Sequence, residues 1–238
     1  MKFRNLMLIG TSHISKQSLK EVREAVESFK PEIIAIELDK RRVIALTQKN
    51  KNARGPRLRD IRRIGLKGFI FSLIGAWVEK KLGKMVGVAP GSEMLTAIKL
   101  AKKNNIPLAL IDQDIEITLK RFSQELTWKE KWHFVEDIFK AVVLRKKEEL
   151  GFDLAEVPSN DIIKKLIDKV RFRYPSIYKV LIEERNIVMA KNLNTLIEKN
   201  PEKSILGIIG AGHEEEIISL IKNMSSNVAI TLSFDAEY

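Results

Sequence analysis

Short apolar runs alternate along this chain with segments whose apolar positions recur at helical spacing. Four of the runs, at residues 5–9, 33–36, 108–111 and 205–209, have the length and composition of buried strands. Strands that alternate with helices are typical of a largely parallel sheet with helices on its faces. The pattern therefore predicts the α/β class, but it does not give the order of the strands.

The helices are predicted from the same spacing. We expect them at residues 15–30, 40–49, 92–103, 127–150, 159–171, 175–200 and 214–222. A last strand is predicted at 228–233, and the short connection before it permits antiparallel pairing. The helices between the third and fourth strands predict an all-helical insertion at about residues 120–202, within a single α/β domain that spans residues 1–238.

One short motif occurs twice: an apolar run, then Gly-x-x-His, then a helical segment. The copies are Gly10-Thr11-Ser12-His13 and Gly210-Ala211-Gly212-His213. The chain has three histidines, and two of them hold the same position in this motif. Glycine allows a sharp turn after a strand, and amides at the start of a helix can hold an anion or oxyanion. The turns supply three candidate ligand-binding residues: Gly10, Gly210 and Gly212.

Polar residues stand at the ends of the four predicted strands: His13, Glu37, Asp112 and His213. Since the carboxyl ends of parallel strands meet at one edge of a sheet, where ligands bind, we expect these four residues to gather. Two imidazoles and a carboxylate are a common ligand set for a divalent metal, and the same groups can act as general base and acid without one. A buried Glu37 also favours a metal or an arginine partner, and Arg41 is close in sequence.

The third histidine and the absence of cysteine limit the kinds of site that this chain can form. His133 lies on a predicted helix, where packing explains it better than ligation. The 238 residues include no cysteine, which excludes disulfides and thiolate metal sites. We find no signal peptide and no apolar run of the roughly 20 residues that cross a bilayer. We therefore expect a cytoplasmic protein.

The net charge of +11 raises the question of an anionic partner. Much of the basic excess lies in residues 40–84, here called the basic segment. Such a segment can contact nucleic acid or anionic lipid. No zinc finger, RNA-recognition motif or Gly-rich phosphate loop accompanies it, so we do not expect a nucleic-acid partner. Peripheral contact with a membrane stays open.

Six groups of residues follow one another nearly from end to end of the chain and together resemble one family. They are Ile9-Gly10-Thr11-Ser12-His13-Ile14-Ser15; Ile36-Glu37-Leu38-Asp39 with Arg41; Pro90-Gly91-Ser92-Glu93-Met94; Ile111-Asp112-Gln113-Asp114-Ile115 with Thr118-Leu119-Lys120-Arg121; Glu184-Arg185-Asn186 with Met189-Ala190; and Gly210-Ala211-Gly212-His213. In this order they resemble the TraB/PrgY family, within a wider group that includes the TIKI proteases, erythromycin esterase and the ChaN haem-binding proteins. Relatives often have arginine where this chain has Gln113, and many prokaryotic relatives carry membrane segments beyond the point that corresponds to Tyr238. We therefore expect no membrane-embedded role.

The resemblance implies a metal-dependent hydrolase, for example a peptidase, that acts on peptides or on small esters or amides. It implies a metal-binding or acid–base cluster that consists of His13, Glu37, Glu93 and His213. Within that cluster the metal ligands would be His13, Glu37 and His213, and the ion would be Mn²⁺, Co²⁺ or Zn²⁺. It also implies that three arginines orient carboxylates or bind the substrate through their planar guanidinium groups: Arg41, Arg121 and Arg185.

Two other hypotheses stay open. The same groups would serve recognition in a non-catalytic protein that binds a peptide, an anion or a haem-like ligand, because the family includes members described as peptide-pheromone shutdown proteins. A third, less favoured hypothesis is an electrostatic binder of nucleic acid or of a membrane surface that uses the basic segment. The sequence decides neither the substrate nor the identity of the metal, and it leaves open whether copies of the chain form a homo-oligomer.

Overall fold

A computed structural model describes residues 1–11, 16–47, 61–63, 65–66, 69, 91–130, 132–133, 136–137 and 160–235. The described residues form five strands: β1 (Lys2–Phe3), β2 (Leu6–Thr11), β3 (Ile33–Ile36), β4 (Leu108–Leu110) and β5 (Ile205–Gly210). They form one sheet in the order β1-β2-β5-β3-β4. The strands β2, β5, β3 and β4 are parallel, and β1 pairs antiparallel with β2 at the edge. The predicted α/β class is confirmed.

The helices cover both faces of this sheet. The α-helices are α1 (Lys16–Phe29), α2 (Lys40–Thr47), α3 (Ser92–Lys103), α4 (Ile115–Glu125), α5 (Asn160–Arg173), α6 (Pro175–Tyr178), α7 (Glu184–Lys199) and α8 (Glu214–Asp235). A π-helical turn, Lys179–Glu183, joins α6 to α7, and a 3₁₀ turn, Ala211–His213, joins β5 to α8. Helical residues also occur at 61–63 and within 128–137. Every helix of the described residues is too short or too polar to cross a bilayer.

The central strands are buried on both faces, as is typical of parallel strands under two helical layers. In β3, Ile33 and Ala35 pack with side chains of α7 and α8, whereas Ile34 and Ile36 pack with side chains of α1 and α3. The two faces of β5 divide in the same way, with Ile205 and Ile209 on one side and Leu206 and Ile208 on the other. Two separate cores therefore hold the sheet between its helices.

The register of the sheet places the carboxyl ends of its strands together. Thr11 lies opposite Gly210, and Ile36 lies opposite both Ile208 and Leu110. The residues that follow these positions in the chain therefore emerge at one edge. This edge is where the polar groups of the candidate site are found.

The strand predicted at 228–233 is wrong, because these residues continue α8 to Asp235. Neither glycine nor proline interrupts residues 214–235. Once a helix is nucleated, each further residue adds a hydrogen bond, and this gain outweighs the weak strand preference of a few β-branched residues. The antiparallel strand of the sheet lies instead at the start of the chain, where β1 was not predicted.

Several expectations fall on residues that the structure does not describe. The sequence also predicts a basic loop at 50–60 and a helical region at 61–86. The loop, most of that helical region and the second half of the helix at 127–150 lie outside the described residues. The single domain with an insertion at about 120–202 stays a prediction as well. The helix predicted at 175–200 is present but divided into α6, the π-helical turn and α7.

We predict that Gly207→Ala destabilises the fold by about 1–3 kcal/mol, because a Cβ there would lie 2.5 Å from Cδ1 of the fully buried Leu8. Urea unfolding measures the loss. The matched variant combines Gly207→Ala with Leu8→Val, which removes the clashing methyl group. Its destabilisation should be smaller than the sum of the two single effects. Simple additivity would show that the Leu8 contact does not limit residue 207.

Candidate functional site

Three of the predicted polar residues meet at the carboxyl edge of the sheet. Glu37 follows β3, Asp112 follows β4, and His213 ends the 3₁₀ turn after β5. All three are buried, with exposed fractions of 2%, 8% and 9%. The fourth residue, His13, lies outside the described residues, so its place at this edge stays a prediction.

The guanidinium of Arg185, on the first turn of α7, joins two of these groups. Its Nε lies 3.0 Å from Oδ1 of Asp112, and its Nη2 lies 2.6 Å from Oδ2 of the same carboxylate. The same Nη2 also donates to Oε1 of Glu37. The remaining Nη1 donates to the carbonyl oxygen of Leu181 at 3.1 Å. Burial acts to lower the pKa of Arg185, but the charges and hydrogen bonds of Glu37 and Asp112 raise it above its ordinary value.

A second arginine, Arg42 of α2, extends this contact to a third carboxylate. It donates to Oδ2 of Asp112 through Nη2 and to Oδ2 of Asp39 through Nε, the latter at 2.7 Å. Asp39 also caps α2, because its Oδ1 accepts from the backbone N–H groups of Arg41 and Arg42. Burial acts to raise the pKa of Asp39, but its contacts with Arg42 lower it below its ordinary value. Five alternating charges therefore run from Glu37 through Arg185, Asp112 and Arg42 to Asp39.

The second oxygen of Glu37 is held by the backbone of the second Gly-x-x-His motif. Oε2 accepts from the N–H of Gly210 at 2.5 Å. Gly210 has an extended conformation, with φ −64° and ψ 138°, and left-handed glycines of the described chain are Gly65 and Gly91, not Gly212. Gly210 ends β5 directly before the 3₁₀ turn, and the binding roles predicted for Gly210 and Gly212 stay predictions. Gly210 contributes an amide donor to Glu37.

Gly10 is required for a different reason than the one predicted, because it lies inside β2 rather than in a turn after it. A Cβ at Gly10 would lie 2.6 Å from Oε2 of Glu214 and 2.8 Å from the Cα of Ala211. The backbone contact leaves no room for a side chain. Gly10 therefore permits β2 to approach the 3₁₀ turn that carries His213.

The imidazole of His213 bridges the charge network and two polar residues on neighbouring helices. Its Nδ1 lies 2.5 Å from Oδ1 of Asn186, and its Nε2 lies 3.6 Å from Oε1 of Glu37. The side-chain amide of Asn186 donates in turn to Oε2 of Glu216 at 2.8 Å. Asn186 is fully buried on α7, directly after Arg185. Adjacent residues of one helix thus contact Glu37 and His213.

The other predicted site residues lie in different surroundings. Arg41 contacts Asp114 and Glu116, so the arginine partner of Glu37 is Arg185 and not Arg41 as expected. Arg121 forms a bidentate ion pair with Glu184, with 36% and 21% of their side chains exposed. Glu93 is buried, with 1% exposure, in the first turn of α3. The roles predicted for these residues stay predictions.

Three contributors to the site were not predicted: Arg42, Asn186 and Glu216. The sequence carried a signal for two of them. Asn186 stands in the Glu184-Arg185-Asn186 motif and is a polar residue beside apolar helix positions. Arg42 follows the cap residue Asp39 by three positions, the spacing of neighbours on a helix. Glu216 lies in a run of three glutamates, and no pattern distinguishes it from the other two.

A pocket of about 380 Å³ borders the turn that carries His213. Gly212 and Glu216 line it together with Arg171 of α5 and Tyr178 of α6. The guanidinium of Arg171 lies 4.5 Å from the centre of the Tyr178 ring. Burial raises the pKa of the Tyr178 hydroxyl, and the charge of Glu216 raises it further. The pocket therefore shares a wall with the contacts that hold His213.

Among the described residues, no group of three or more histidine, aspartate or glutamate side chains is placed to hold a metal ion. Two donor atoms do face each other, Nε2 of His213 and Oε1 of Glu37. The remaining ligand predicted for the metal, His13, lies outside the described residues. The described part of the site thus supplies two of the three predicted ligands.

We predict that Arg185→Met lowers the free energy of unfolding by about 3–5 kcal/mol, because it leaves two buried carboxylates without their shared cation. Chemical denaturation measures the change. Arg121→Met is the matched control, since it breaks a bidentate pair that is partly exposed and should cost about 0–1 kcal/mol. Equal losses in the two variants would contradict a central role for Arg185.

Comparison with known proteins gives this site a family context. An uncharacterized protein of Methanocaldococcus jannaschii is 40% identical over 236 residues, which cover 96% of this chain and 56% of that protein. TraB domain-containing proteins of Mus musculus and Homo sapiens are 22% identical over 247 and 248 residues, which cover 94% of this chain and 63% of theirs. This chain thus spans between half and two thirds of the length of these relatives. The model of the TraB/PrgY/gumN family matches residues 2–227, and the chain therefore belongs to the TraB/PrgY/gumN family.

Proposed function

We propose that this protein is a metal-dependent hydrolase that acts on peptides or on small esters or amides. The observation that carries the proposal is the end of the buried charge network, where Oε1 of Glu37 faces Nε2 of His213 at 3.6 Å. This carboxylate and this imidazole lie at the carboxyl edge of a parallel sheet. That edge is the usual location of reactive groups in this fold class. Both groups are held in place by residues that surround them.

The composition of the described network suits a cation at this position. Its five alternating groups comprise three carboxylates and two guanidiniums. Carboxylate oxygen and imidazole nitrogen are ligands that divalent ions accept, and Glu37 and His213 would supply one of each.

The surroundings of His213 support a metal-binding role. Metal-bound histidines almost always use one ring nitrogen for the ion and the other for a hydrogen bond to an oxygen acceptor. His213 has this arrangement, because its Nδ1 contacts Oδ1 of Asn186 and its Nε2 faces Glu37. His13, Glu37 and His213 would hold the ion, and Mn²⁺, Co²⁺ and Zn²⁺ are the candidates. When bound, such an ion polarises a scissile carbonyl and lowers the pKa of a bound water.

The protein's own groups would orient the reaction and move the proton. Arg185 and the N–H of Gly210 fix the two oxygens of Glu37 from different sides. With His13, Glu37 and His213 as ligands, Glu93 is the member of the predicted cluster that would accept the proton of the attacking water. Asn186 fixes the plane of the His213 ring, so that Nε2 stays directed at Glu37.

We place the substrate in the pocket beside the turn of His213. Its volume of about 380 Å³ is in the range of small-ligand sites. Charged groups of both signs line it, including Lys164 and Arg171 as well as Asp168 and Glu214. Peptides, which present groups of both signs, fit this lining better than a purely apolar or purely anionic ligand does.

One observation favours a second candidate, a non-catalytic ligand-binding protein. Both oxygens of Glu37 and both oxygens of Asp112 already accept hydrogen bonds from Arg185, Arg42 or the N–H of Gly210. A network closed in this way suits rigid recognition of a ligand. The two candidates differ in turnover and in metal binding, which can be measured separately.

We predict that MnCl₂, CoCl₂ or ZnCl₂ raises the melting temperature of the chelator-treated protein, because an ion that binds only the folded state stabilises it. His213→Gln should abolish the shift. His133→Gln is the matched control, since His133 contacts the carbonyl oxygen of Arg173 away from the strand ends and should retain it. A full shift in His213→Gln would refute the proposed ligand role.

We predict that Glu37→Gln lowers the turnover of a peptide or ester library by about 100-fold or more. The melting temperature of this variant shows whether loss of the contact with Arg185 has also destabilised the fold. Asp114→Asn is a control for the loss of a carboxylate, since Asp114 caps α4 and lies outside the five-charge network. Normal cleavage by a folded Glu37→Gln protein would exclude Glu37 from the chemistry. A wild-type protein that binds metal or peptide without turnover would favour the second candidate.

A further inference from the structure

We infer that Asn186 and Glu216 are positioning residues that keep neutral His213 protonated at Nδ1 and leave Nε2 as its reactive nitrogen. The inference deepens the proposed function, because it names the groups that prepare His213 for that role. It does not depend on turnover, since the protonated nitrogen of a histidine can be observed directly.

The first step concerns Glu216. Its carboxylate can accept hydrogen bonds, but it has no proton to donate. The side-chain amide of Asn186 reaches it at 2.8 Å. Burial raises the pKa of the neighbouring Tyr178, so its hydroxyl keeps its proton and adds no negative charge beside Glu216. Glu216 is therefore the acceptor for the amide of Asn186.

The second step concerns the orientation of Asn186. Because Glu216 accepts, the NH₂ group of Asn186 must face it, and the amide oxygen must face the opposite way. That oxygen lies 2.5 Å from Nδ1 of His213. An amide oxygen can only accept, so Nδ1 must carry the proton. The charge of Glu216 thus sets the protonated nitrogen of His213 through one fixed amide.

The third step concerns Nε2. A neutral imidazole has one protonated nitrogen, so a proton on Nδ1 leaves a lone pair on Nε2. Nε2 lies 3.6 Å from Oε1 of Glu37, beyond hydrogen-bond distance and on the side of the charge network. The lone pair is therefore presented where a metal ion or a proton would be stabilised by Glu37. In the opposite tautomer the proton would block this position.

The fold makes this arrangement rigid. Asn186 is fully buried and follows Arg185 on α7, so the helix that fixes Glu37 also fixes His213. Tyr178 belongs to α6, on the other side of the π-helical turn. A π-helical turn within a helix is frequently found at a functional site. Here it lies between Tyr178, which lines the pocket together with Glu216, and Asn186, which donates to Glu216.

The experiment is ¹⁵N NMR of the imidazole nitrogens in the metal-free protein of residues 1–238 at about pH 8.5, where an ordinary histidine is neutral. His13→Gln and His133→Gln assign the three histidines. We expect Nδ1–H for His213 in the wild type and in Asn186→Asp, which keeps an oxygen acceptor. In Asn186→Leu we expect Nε2–H, because no acceptor then holds the proton on Nδ1. His133 should not change in any variant.

Glu216→Met provides a second route if Asn186→Leu does not fold, because it leaves the buried Asn186 in place and frees its amide to rotate. We expect a mixture of the two His213 tautomers in this variant. We also expect Mn²⁺ affinity, or turnover where it is measurable, to fall about 10- to 100-fold in Asn186→Leu and in Glu216→Met. Asn186→Asp should lose less than Asn186→Leu.

Two results would overturn the inference: an Nε2–H tautomer in the wild type, or an unchanged Nδ1–H tautomer in folded Asn186→Leu or Glu216→Met. A charged imidazole at about pH 8.5 would also overturn it. The expected tautomers in a protein without metal binding or turnover would leave the inference intact and refute the hydrolase proposal. A purely structural role would lower stability in all variants without moving the proton.

Discussion

A buried guanidinium holds the carboxyl edge of the sheet together. Arg185 stands between Glu37 and Asp112, and the side chains of the two carboxylates are 2% and 0% exposed. Burying either carboxylate without a cation would cost several kcal/mol in lost hydration. Such a network adds little net stability over an apolar core of the same volume. What it does fix is the position of Glu37 relative to Asp112.

The network also explains why strands that are distant in sequence end at the same place. Glu37 follows β3, Asp112 follows β4, and the amide of Gly210 ends β5. Arg185 of α7 contacts both Glu37 and Asp112. Glu37 in turn accepts a hydrogen bond from the N–H of Gly210. Burial of both faces of the sheet supplies the driving force for folding, whereas these directional contacts fix the geometry of the strand ends.

The sequence predicted the parts of the fold that depend on local pattern. The apolar runs located β2 to β5 within a few residues, and the boundaries of α3 were correct at both ends. The pattern failed at residues 228–233, where local strand preference competed with an established helix. It also gave no strand order, because the pairing of β5 between β2 and β3 is decided by packing between distant segments.

The candidate site was predictable to the same extent. Glu37, Asp112 and His213 could be identified because each follows an apolar strand, a feature that local sequence reveals. Their partners could not, because ion-pair partners follow from tertiary distance and not from proximity in sequence. Arg41 is four residues from Glu37, yet the partner of Glu37 is Arg185, which is 148 residues away. Glu216 was hidden for a similar reason, since only its contact with Asn186 distinguishes it from Glu214 and Glu215.

The two oxygens of Glu37 have different partners. Oε2 accepts from the N–H of Gly210. Only a substitution by proline would remove this backbone group. Oε1 contacts Arg185 and faces Nε2 of His213. A carboxylate anchored at one oxygen in this way cannot rotate to bring the other oxygen elsewhere. The position of Oε1 is therefore set by β5, and that of Nε2 by α7 through Asn186, so the gap between the two atoms is a property of the packed sheet and helix. Folding has already placed the donor atoms on the two sides of this gap. A ligand that binds there does not have to order them, so the free-energy cost of binding is lower.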